Sequence, residues 1–151
     1  MIYVIYGQPG SGKTTLGKRL SIWLGTPFFI DGDEFRSLFG NNNYKKNGRE
    51  NNIRNSIAVA TYLNKKSHTI SEELKNTSVV ISMVNPYQSL RNELVANNPN
   101  ETKLILLKSG RTLRKEYHVD DFEDGEPDLI LYTDNPEEYS FRELTSFVAN
   151  P

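Results

Sequence analysis

Residues 7–14 read Gly-Gln-Pro-Gly-Ser-Gly-Lys-Thr and give the strongest indication of the fold. It follows a short run of β-branched and aromatic residues, 2–6, which predicts a strand. Beyond it, Leu16, Leu20 and Leu24 recur at helical spacing. The stretch therefore lies between a strand and a helix, and it matches the phosphate-binding pattern G-x-x-x-x-G-K-S/T in the setting that this pattern requires.

The chemistry of this loop favours a polyphosphate ligand. Glycines let the backbone curl so that its N–H groups point into one concavity, and the following helix adds the positive end of its dipole. Lys13 can neutralise β- and γ-phosphates, and the Thr14 hydroxyl can bind Mg²⁺. An ordinary glycine-rich turn is the alternative. In that case the eight-residue pattern, its lysine and its position between a strand and a helix would all have to occur together by chance. We therefore predict an ATP site formed by Gly7, Gly10, Ser11, Gly12, Lys13, Thr14 and Thr15.

Strands and helices alternate along the rest of the chain. Short apolar runs that predict buried strands occupy residues 28–31, 78–84, 104–107 and 129–132, with helical spacing between and after them. Residues 40–48 are rich in Asn and Lys and predict a loop. Since only strands buried on both faces lack polar alternation, the pattern predicts an α/β, three-layer P-loop NTPase fold with about five mostly parallel strands and helices on both faces.

Composition limits the class of partner. The 151 residues suit a single domain spanning 1–151, and a net charge of −1 argues against binding long nucleic acid. We expect a small-molecule partner. The chain has no cysteine, and its N-terminal apolar run is too short for a signal peptide or a membrane span, so we expect a cytoplasmic protein. The oligomeric state stays open, with a homodimer among the possibilities.

Two carboxylates, Asp31 and Asp33, close the second predicted strand. In an open α/β sheet the carboxyl ends of the strands face the ligand crevice. A carboxylate there can accept the proton of an attacking hydroxyl or hold a metal-bound water. Both residues can equally cap the next helix. From these residues alone, the two interpretations carry equal weight.

Several blocks, in order, resemble the adenylylsulfate (APS) kinases, which transfer the γ-phosphoryl group of ATP to the 3′-hydroxyl of adenosine 5′-phosphosulfate in sulfate assimilation. Residues 7–15 resemble that family's P-loop, residues 31–36 its D-G-D-x-x-R block and residues 49–54 its R-x-E-N-I-R helix start. Tyr44 matches an aromatic residue before that helix, and residues 84–91 are similar to the segment I-S-P-Y-R-x-x-R. The blocks cover about the first 90 residues.

The resemblance implies a role for each matched residue. Asp33 would be the general base or orient the acceptor hydroxyl, with Asp31 beside it and Lys13 as the third catalytic residue. The acceptor would be held by Arg36, Tyr44, Arg49 and Asn52, with Tyr44 stacked on its adenine. Physical chemistry supports these roles, because arginine side chains form paired hydrogen bonds with oxyanions and aromatic rings stack on bases. The alternative is that Arg36 and Arg49 lie on a solvated helix face and that Tyr44 is simply packed against the protein.

The lid is where the chain departs from the family. The family has a long basic lid with an R-D-P-K-G-L-Y block, whereas here residues 110–117 fill that space, and Arg111, Arg114 or Lys115 is the candidate lid cation. Our leading hypothesis is phosphorylation of APS with ATP and Mg²⁺, the metal being held by Thr14, phosphates and Asp31 or Asp33. A P-loop kinase for another nucleoside, nucleotide or polynucleotide 5′ end is one alternative. An ATP-binding module with little transferase activity is the other.

Other conspicuous side chains have plainer interpretations. Trp23 falls on the apolar side of the first helix, which predicts a core residue. His68 and His118 lack neighbours at metal-ligand spacing, so we predict no metal site there. Arg54 and Arg91 are interpreted as structural or surface charges, and a position of Arg91 in the cleft is the alternative.

Overall fold

The computed structural model of the chain describes residues 1–110 and 115–150, without the side chain of Lys115. Within these residues, the strands are β1 (Ile2–Gly7), β2 (Phe29–Asp31), β3 (Val79–Met83), β4 (Thr102–Lys108) and β5 (Leu129–Tyr132). The α-helices are α1 (Lys13–Leu24), α2 (Gly32–Leu38), α3 (Lys46–Thr69), α4 (Gln88–Asn97) and α5 (Glu137–Ala149). Short 3₁₀ turns cover Glu72–Leu74 and Lys115–Tyr117. The strands pair in the order β2-β3-β1-β4-β5, and every pairing is parallel.

The central strands are buried on both faces, which explains their continuous apolar sequence. In β1, Val4 and Tyr6 pack in one cluster with residues of α2, α3 and α4, whereas Tyr3 and Ile5 pack in a second cluster with residues of α1 and α5. Because successive side chains of a strand point to opposite faces, the two clusters lie on opposite sides of the sheet. The predicted α/β fold with helices on both faces is confirmed.

The strand order brings three chain segments to one edge of the sheet. Asp31 of β2 lies opposite Ser82 of β3, and Met83 of β3 lies opposite Tyr6 of β1. Because the strands are parallel, the segments that follow β1, β2 and β3 all leave at the carboxyl edge. The end of β3 therefore lies between the phosphate-binding loop and the Asp31 turn.

Trp23 is not in the core, so that prediction is wrong: its side chain is 48% exposed. The buried residues of α1 are Leu16, Gly17, Leu20 and Ser21, and Leu24 packs partly against the same cluster. At 100° per residue, Trp23 lies about 90° around the helix from the centre of that buried stripe. Helical spacing alone did not distinguish the flank of the stripe from its middle.

Helix α3 begins earlier than the sequence predicts. Its first turn, from Lys46, extends into the predicted loop 40–48, with Gly48 inside the helix. A side chain at Gly48 would place its Cβ 1.9 Å from the carbonyl oxygen of Asn43, so the glycine permits close packing and does not mark a loop. No helix in the described ranges is both long and apolar enough to cross a bilayer.

Candidate functional site

A cavity of about 420 Å³ opens at the carboxyl edge of the sheet. It brings together most of the residues that the sequence singles out, namely Gly10, Gly12, Lys13, Thr14, Thr15, Asp31, Asp33, Arg36, Tyr44, Arg49 and Asn52. Two predicted ATP ligands do not line it. Gly7 ends β1 behind the loop and donates its N–H to the Val84 carbonyl, and Ser11 lines a second cavity of about 360 Å³.

The phosphate-binding loop has the backbone that its glycines permit. Gly10 and Gly12 have φ values of 81° and 95°, in the region that other residues rarely adopt. Gly12 is the N-cap of α1 and no side chain caps this helix, so the positive end of its dipole remains for a ligand. Lys13 Nζ donates hydrogen bonds to the Gln8 carbonyl at 2.6 Å and to Ser11 Oγ at 3.2 Å. The lysine ammonium is thus held within the loop.

Asp31 both caps a helix and contacts the loop. One oxygen, Oδ1, accepts hydrogen bonds from the backbone amides of Asp33 and Glu34, at 3.0 and 3.3 Å. The other, Oδ2, accepts a hydrogen bond of 2.7 Å from the Thr14 hydroxyl. The capping interpretation of Asp31 is confirmed, and its role towards a metal or an acceptor hydroxyl stays a prediction.

The Thr14–Asp31 pair fits a magnesium ion. Mg²⁺ prefers oxygen ligands, and beside a nucleotide it usually takes only one or two of them from protein side chains, the others coming from phosphates and water. A hydroxyl and a carboxylate oxygen in contact supply that number. In the part of the chain that the structure describes, no group of three or more His, Cys, Asp or Glu residues forms a self-sufficient metal site.

Arg36 organises the loop that carries Tyr44. The Arg36 side chain donates a hydrogen bond of 2.7 Å to the Asn43 carbonyl, and its guanidinium lies 4.4 Å from the centre of the Tyr44 ring. Burial lowers the pKa of Arg36, although nearby Asp33 opposes this shift. Arg36 thus positions Tyr44 at the cavity mouth as well as lining the cavity.

Arg49 and Asn52 project from the start of α3 into the same cavity. Arg49 Nη1 donates a hydrogen bond of 3.5 Å to the Tyr87 hydroxyl and forms an ion pair with Asp121 Oδ1 at 3.8 Å. These two contacts position the guanidinium. Asn52 donates from Nδ2 to the Gly32 carbonyl at 3.2 Å. This bond ties α3 to the turn that carries Asp33.

The residues that close the cavity from the far side were not predicted to bind a ligand. The segment 116–119 lines it, and the Tyr117 ring centre lies 6.4 Å from that of Tyr44. His118, which the sequence left without a role, also lines the cavity. Arg111 and Arg114 lie outside the described residues, as does the Lys115 side chain, so the lid cation stays a prediction. The signal available in the sequence was an aromatic residue, Tyr117, in the segment predicted to be a lid.

Gln8 connects the phosphate-binding loop to this segment. Its carboxamide makes two hydrogen bonds to the backbone of Val119: Nε2 donates to the carbonyl at 2.9 Å and Oε1 accepts from the amide at 3.0 Å. Gln8 stands at a position that the loop pattern leaves variable, so no motif pointed to it.

Arg91 holds together, from a buried position, the backbone after β3 and the backbone near Glu123. It is 1% exposed, and it donates hydrogen bonds to the carbonyls of Asn85 at 2.6 Å and Glu123 at 2.5 Å. Its guanidinium also lies 4.2 Å from the centre of the Tyr6 ring. The prediction of a structural charge fits these contacts.

Replacing Arg91 with methionine is expected to lower the free energy of unfolding by about 3 kcal/mol, because two buried carbonyls lose charge-assisted hydrogen bonds. Urea unfolding measures this change. Arg54→Met is the matched control: Arg54 lies on the exposed side of α3 and makes only a long ion pair with Glu50, at 3.8 Å, in the described chain. Equal stability of the two variants would contradict the anchoring role.

Comparisons with known proteins bear on the family and the fold. The model of the adenylylsulphate kinase family matches residues 1–113, and no curated protein matches the sequence. Among solved structures, APE1195 is 25% identical, with a TM-score of 0.77 over 99% of this chain and 94% of that one. The APS kinase of Mycobacterium tuberculosis, solved with AMPPNP and APS, is 18% identical, with a TM-score of 0.75 over 99% and 97%. A gluconokinase of Sinorhizobium meliloti is 18% identical, with a TM-score of 0.67 over 97% and 90%.

The structural likenesses at 18% identity show the fold alone, and that fold is shared by kinases with different acceptors. The family match is the stronger result, because it spans residues 1–113 of 151 and includes both the phosphate-binding loop and the residues across the cavity from it. The chain therefore belongs to the adenylylsulphate kinase family and is a P-loop kinase, an ATP-dependent phosphotransferase.

Proposed function

We propose that this kinase transfers the γ-phosphoryl group of ATP to the 3′-hydroxyl of APS. The observation that carries the proposal is that one cavity is lined both by the donor-side residues Lys13 and Thr14 and by the acceptor-side residues Arg36 and Arg49. Asp33 lines the same cavity. A triphosphate and a second anionic nucleotide would then meet at the carboxylate.

The acceptor side has the chemistry that a nucleotide anion needs. Guanidinium groups form paired, charge-assisted hydrogen bonds with oxyanions, so Arg36 and Arg49 suit the phosphosulfate. The rings of Tyr44 and Tyr117 have centres 6.4 Å apart and are inclined by 45°. A base between two rings needs roughly 7 Å, two van der Waals contacts of about 3.5 Å, so adenine would fit if the rings rotated towards parallel and moved apart by about 0.6 Å.

On the donor side, the loop would bind the ATP phosphates and Lys13 would neutralise charge on the β- and γ-oxygens. Thr14 and Asp31 would hold Mg²⁺, which supplies further positive charge to the phosphates when it is bound. Asp33 would accept a hydrogen bond from the acceptor hydroxyl, align it with the γ-phosphorus and take up its proton during transfer. The segment 116–119, held to the loop by Gln8, would help to keep water away from this hydroxyl.

A coupled assay of ADP formation, run with APS and with a panel of acceptors, tests the proposal. The panel contains adenosine, AMP, gluconate and a 5′-hydroxyl oligonucleotide. We expect ADP and 3′-phosphorylated APS in equal amounts, identified by mass, with APS alone as an efficient acceptor. Turnover of another acceptor without turnover of APS would refute the APS assignment and leave the kinase class intact. Calorimetric binding of ATP with no product from any acceptor would instead indicate a binding module.

A further inference from the structure

Gln8 contacts the phosphate-binding loop through its backbone and the segment 116–119 through its side chain. The Gln8 carbonyl accepts hydrogen bonds from Lys13 Nζ at 2.6 Å and from the Ser11 amide at 3.2 Å. Its carboxamide donates to the Val119 carbonyl at 2.9 Å and accepts from the Val119 amide at 3.0 Å. Since Lys13 and Ser11 are predicted ATP ligands, one residue connects the donor side of the cavity to its far wall.

The contact between Gln8 and Val119 lies beside the partition between two cavities. Four residues line both the cavity of about 420 Å³ and the second cavity of about 360 Å³, namely Pro9, Gly10, His118 and Val119. Gln8 lines the second cavity and not the first. Its side chain therefore supports the partition from behind and stays out of the cavity that Asp33 and Arg49 line.

The chain beyond Val119 is anchored by other parts of the fold. The Glu123 amide donates to the Pro86 carbonyl at 2.9 Å, and the Asp124 carbonyl accepts a hydrogen bond of 2.6 Å from the Tyr6 hydroxyl. These contacts come from β1 and from the segment after β3. The Gln8 contact therefore acts on the part of the chain that precedes this anchored end.

That preceding part reaches the acceptor side of the cavity. The Tyr117 ring centre lies 6.4 Å from that of Tyr44, and the Arg36 guanidinium lies 4.4 Å from the centre of the Tyr44 ring. Contacts thus run from Gln8, through the segment 116–119, to residues proposed to hold the acceptor. Because closely packed groups transmit displacements, a change at the phosphate-binding loop is expected to move Tyr117.

We propose that Gln8 is a positioning residue that couples occupancy of the phosphate-binding loop to acceptor binding. Bound phosphates would draw the Lys13 ammonium towards them and fix the loop backbone at Gln8. The Gln8 carboxamide would then fix the segment 116–119, which forms one wall of the acceptor site. The use of APS as the acceptor in one of the two tests rests on the proposed function.

Hydrogen–deuterium exchange of the segment 116–119, with and without the ATP analogue AMPPNP and Mg²⁺, tests the coupling in the absence of any acceptor. Gln8→Met keeps the length of the side chain and removes both hydrogen bonds to Val119. Gln8→Glu keeps an oxygen for the Val119 amide but places a carboxylate against the Val119 carbonyl. Gln88→Met is the matched control, because Gln88 begins α4 and lines neither of the two cavities.

In the wild type and in Gln88→Met, AMPPNP should slow exchange in the segment 116–119 by about fivefold or more. In Gln8→Met the nucleotide should leave this exchange unchanged, and in Gln8→Glu its effect should be intermediate. Exchange in the wild type that does not respond to AMPPNP would overturn the proposal, as would protection that persists in Gln8→Met. If Gln8→Met fails to fold, undiminished protection in Gln8→Glu would overturn it.

Calorimetry with APS measures the same coupling at the acceptor site. The wild type should bind APS about 10-fold more tightly when AMPPNP occupies the loop, and Gln8→Met should lose this gain. Equal affinity of the wild type for APS in both states would contradict the coupling. The affinity of Gln8→Met for AMPPNP alone should match that of the wild type, since weaker binding would indicate a damaged loop and overturn the positioning role.

The two measurements separate this inference from the proposed function. If the wild type does not bind APS, the proposed function fails, while the response of the segment 116–119 to AMPPNP still decides the role of Gln8. If APS is phosphorylated but the segment does not respond to AMPPNP, the proposed function stands and the role of Gln8 is refuted.

Discussion

Replacing Lys13 with methionine is expected to lower kcat by about 1,000-fold, because the developing charge on the transferred phosphoryl group loses its nearest cation. Methionine keeps the length of the side chain but has no charge and no N–H groups. It would also lose the bonds from Nζ to the Gln8 carbonyl and to Ser11 Oγ, so we expect weaker ATP binding as well. Steady-state kinetics and calorimetry with ATP measure both effects.

Lys18→Met is the matched control for Lys13→Met. Lys18 lies on the same helix, α1, but is exposed and does not line the cavity. This variant should keep wild-type kinetics. If Lys13→Met retained kcat within a few-fold of the wild type while Lys18→Met behaved in the same way, the loop would not be acting on the transferred phosphoryl group.

Asp33→Asn is expected to lower kcat by roughly 100- to 10,000-fold while ATP binding stays unchanged. The amide can still contact the acceptor hydroxyl, but it cannot take up the proton. Asp33 does not contribute its side chain to the N-cap of α2, which Asp31 provides, so the substitution should leave that helix intact. Single-turnover phosphoryl transfer together with ATP calorimetry would separate loss of chemistry from loss of binding.

The neighbouring carboxylate supplies a control for Asp33→Asn. Glu34 is exposed in the first turn of α2, next to Asp33 in sequence, and it does not line the cavity. Glu34→Gln removes the same charge from the same turn and should keep wild-type turnover. Unchanged turnover in Asp33→Asn would refute its role as the base. Equal losses in the two variants would point to the charge of the turn rather than to one side chain.

Much of the fold could be predicted because local sequence patterns indicate its strands and helices. A strand, loop and helix around residues 7–14, followed by apolar runs without polar alternation, predicts a parallel sheet covered on both faces. The errors arose where packing overruled local spacing. Trp23 has helical spacing but lies on the flank of the buried stripe, and Gly48 resembles a loop residue but lies in α3 against Asn43.

The candidate site was predictable only where motifs marked it. The phosphate-binding loop and the blocks around Asp33, Arg36 and Arg49 were each marked by a sequence motif. The structure shows that all of them line one cavity. The opposite wall, 116–119, has no motif, and its contacts with Gln8 span more than 100 residues of sequence. No pattern of spacing can reveal a hydrogen bond between two such distant positions.

Sequence by itself determined the class of the protein: the loop pattern requires a backbone that binds phosphates, and apolar strands require a covered parallel sheet. Tertiary structure alone decided which side chains share the cavity and which distant segments they hold together. It buried Arg91 between the backbone after β3 and the backbone near Glu123, and it joined Gln8 of the loop to Val119. Burial and hydrogen bonding depend on atoms from distant segments, so only the folded chain could reveal them.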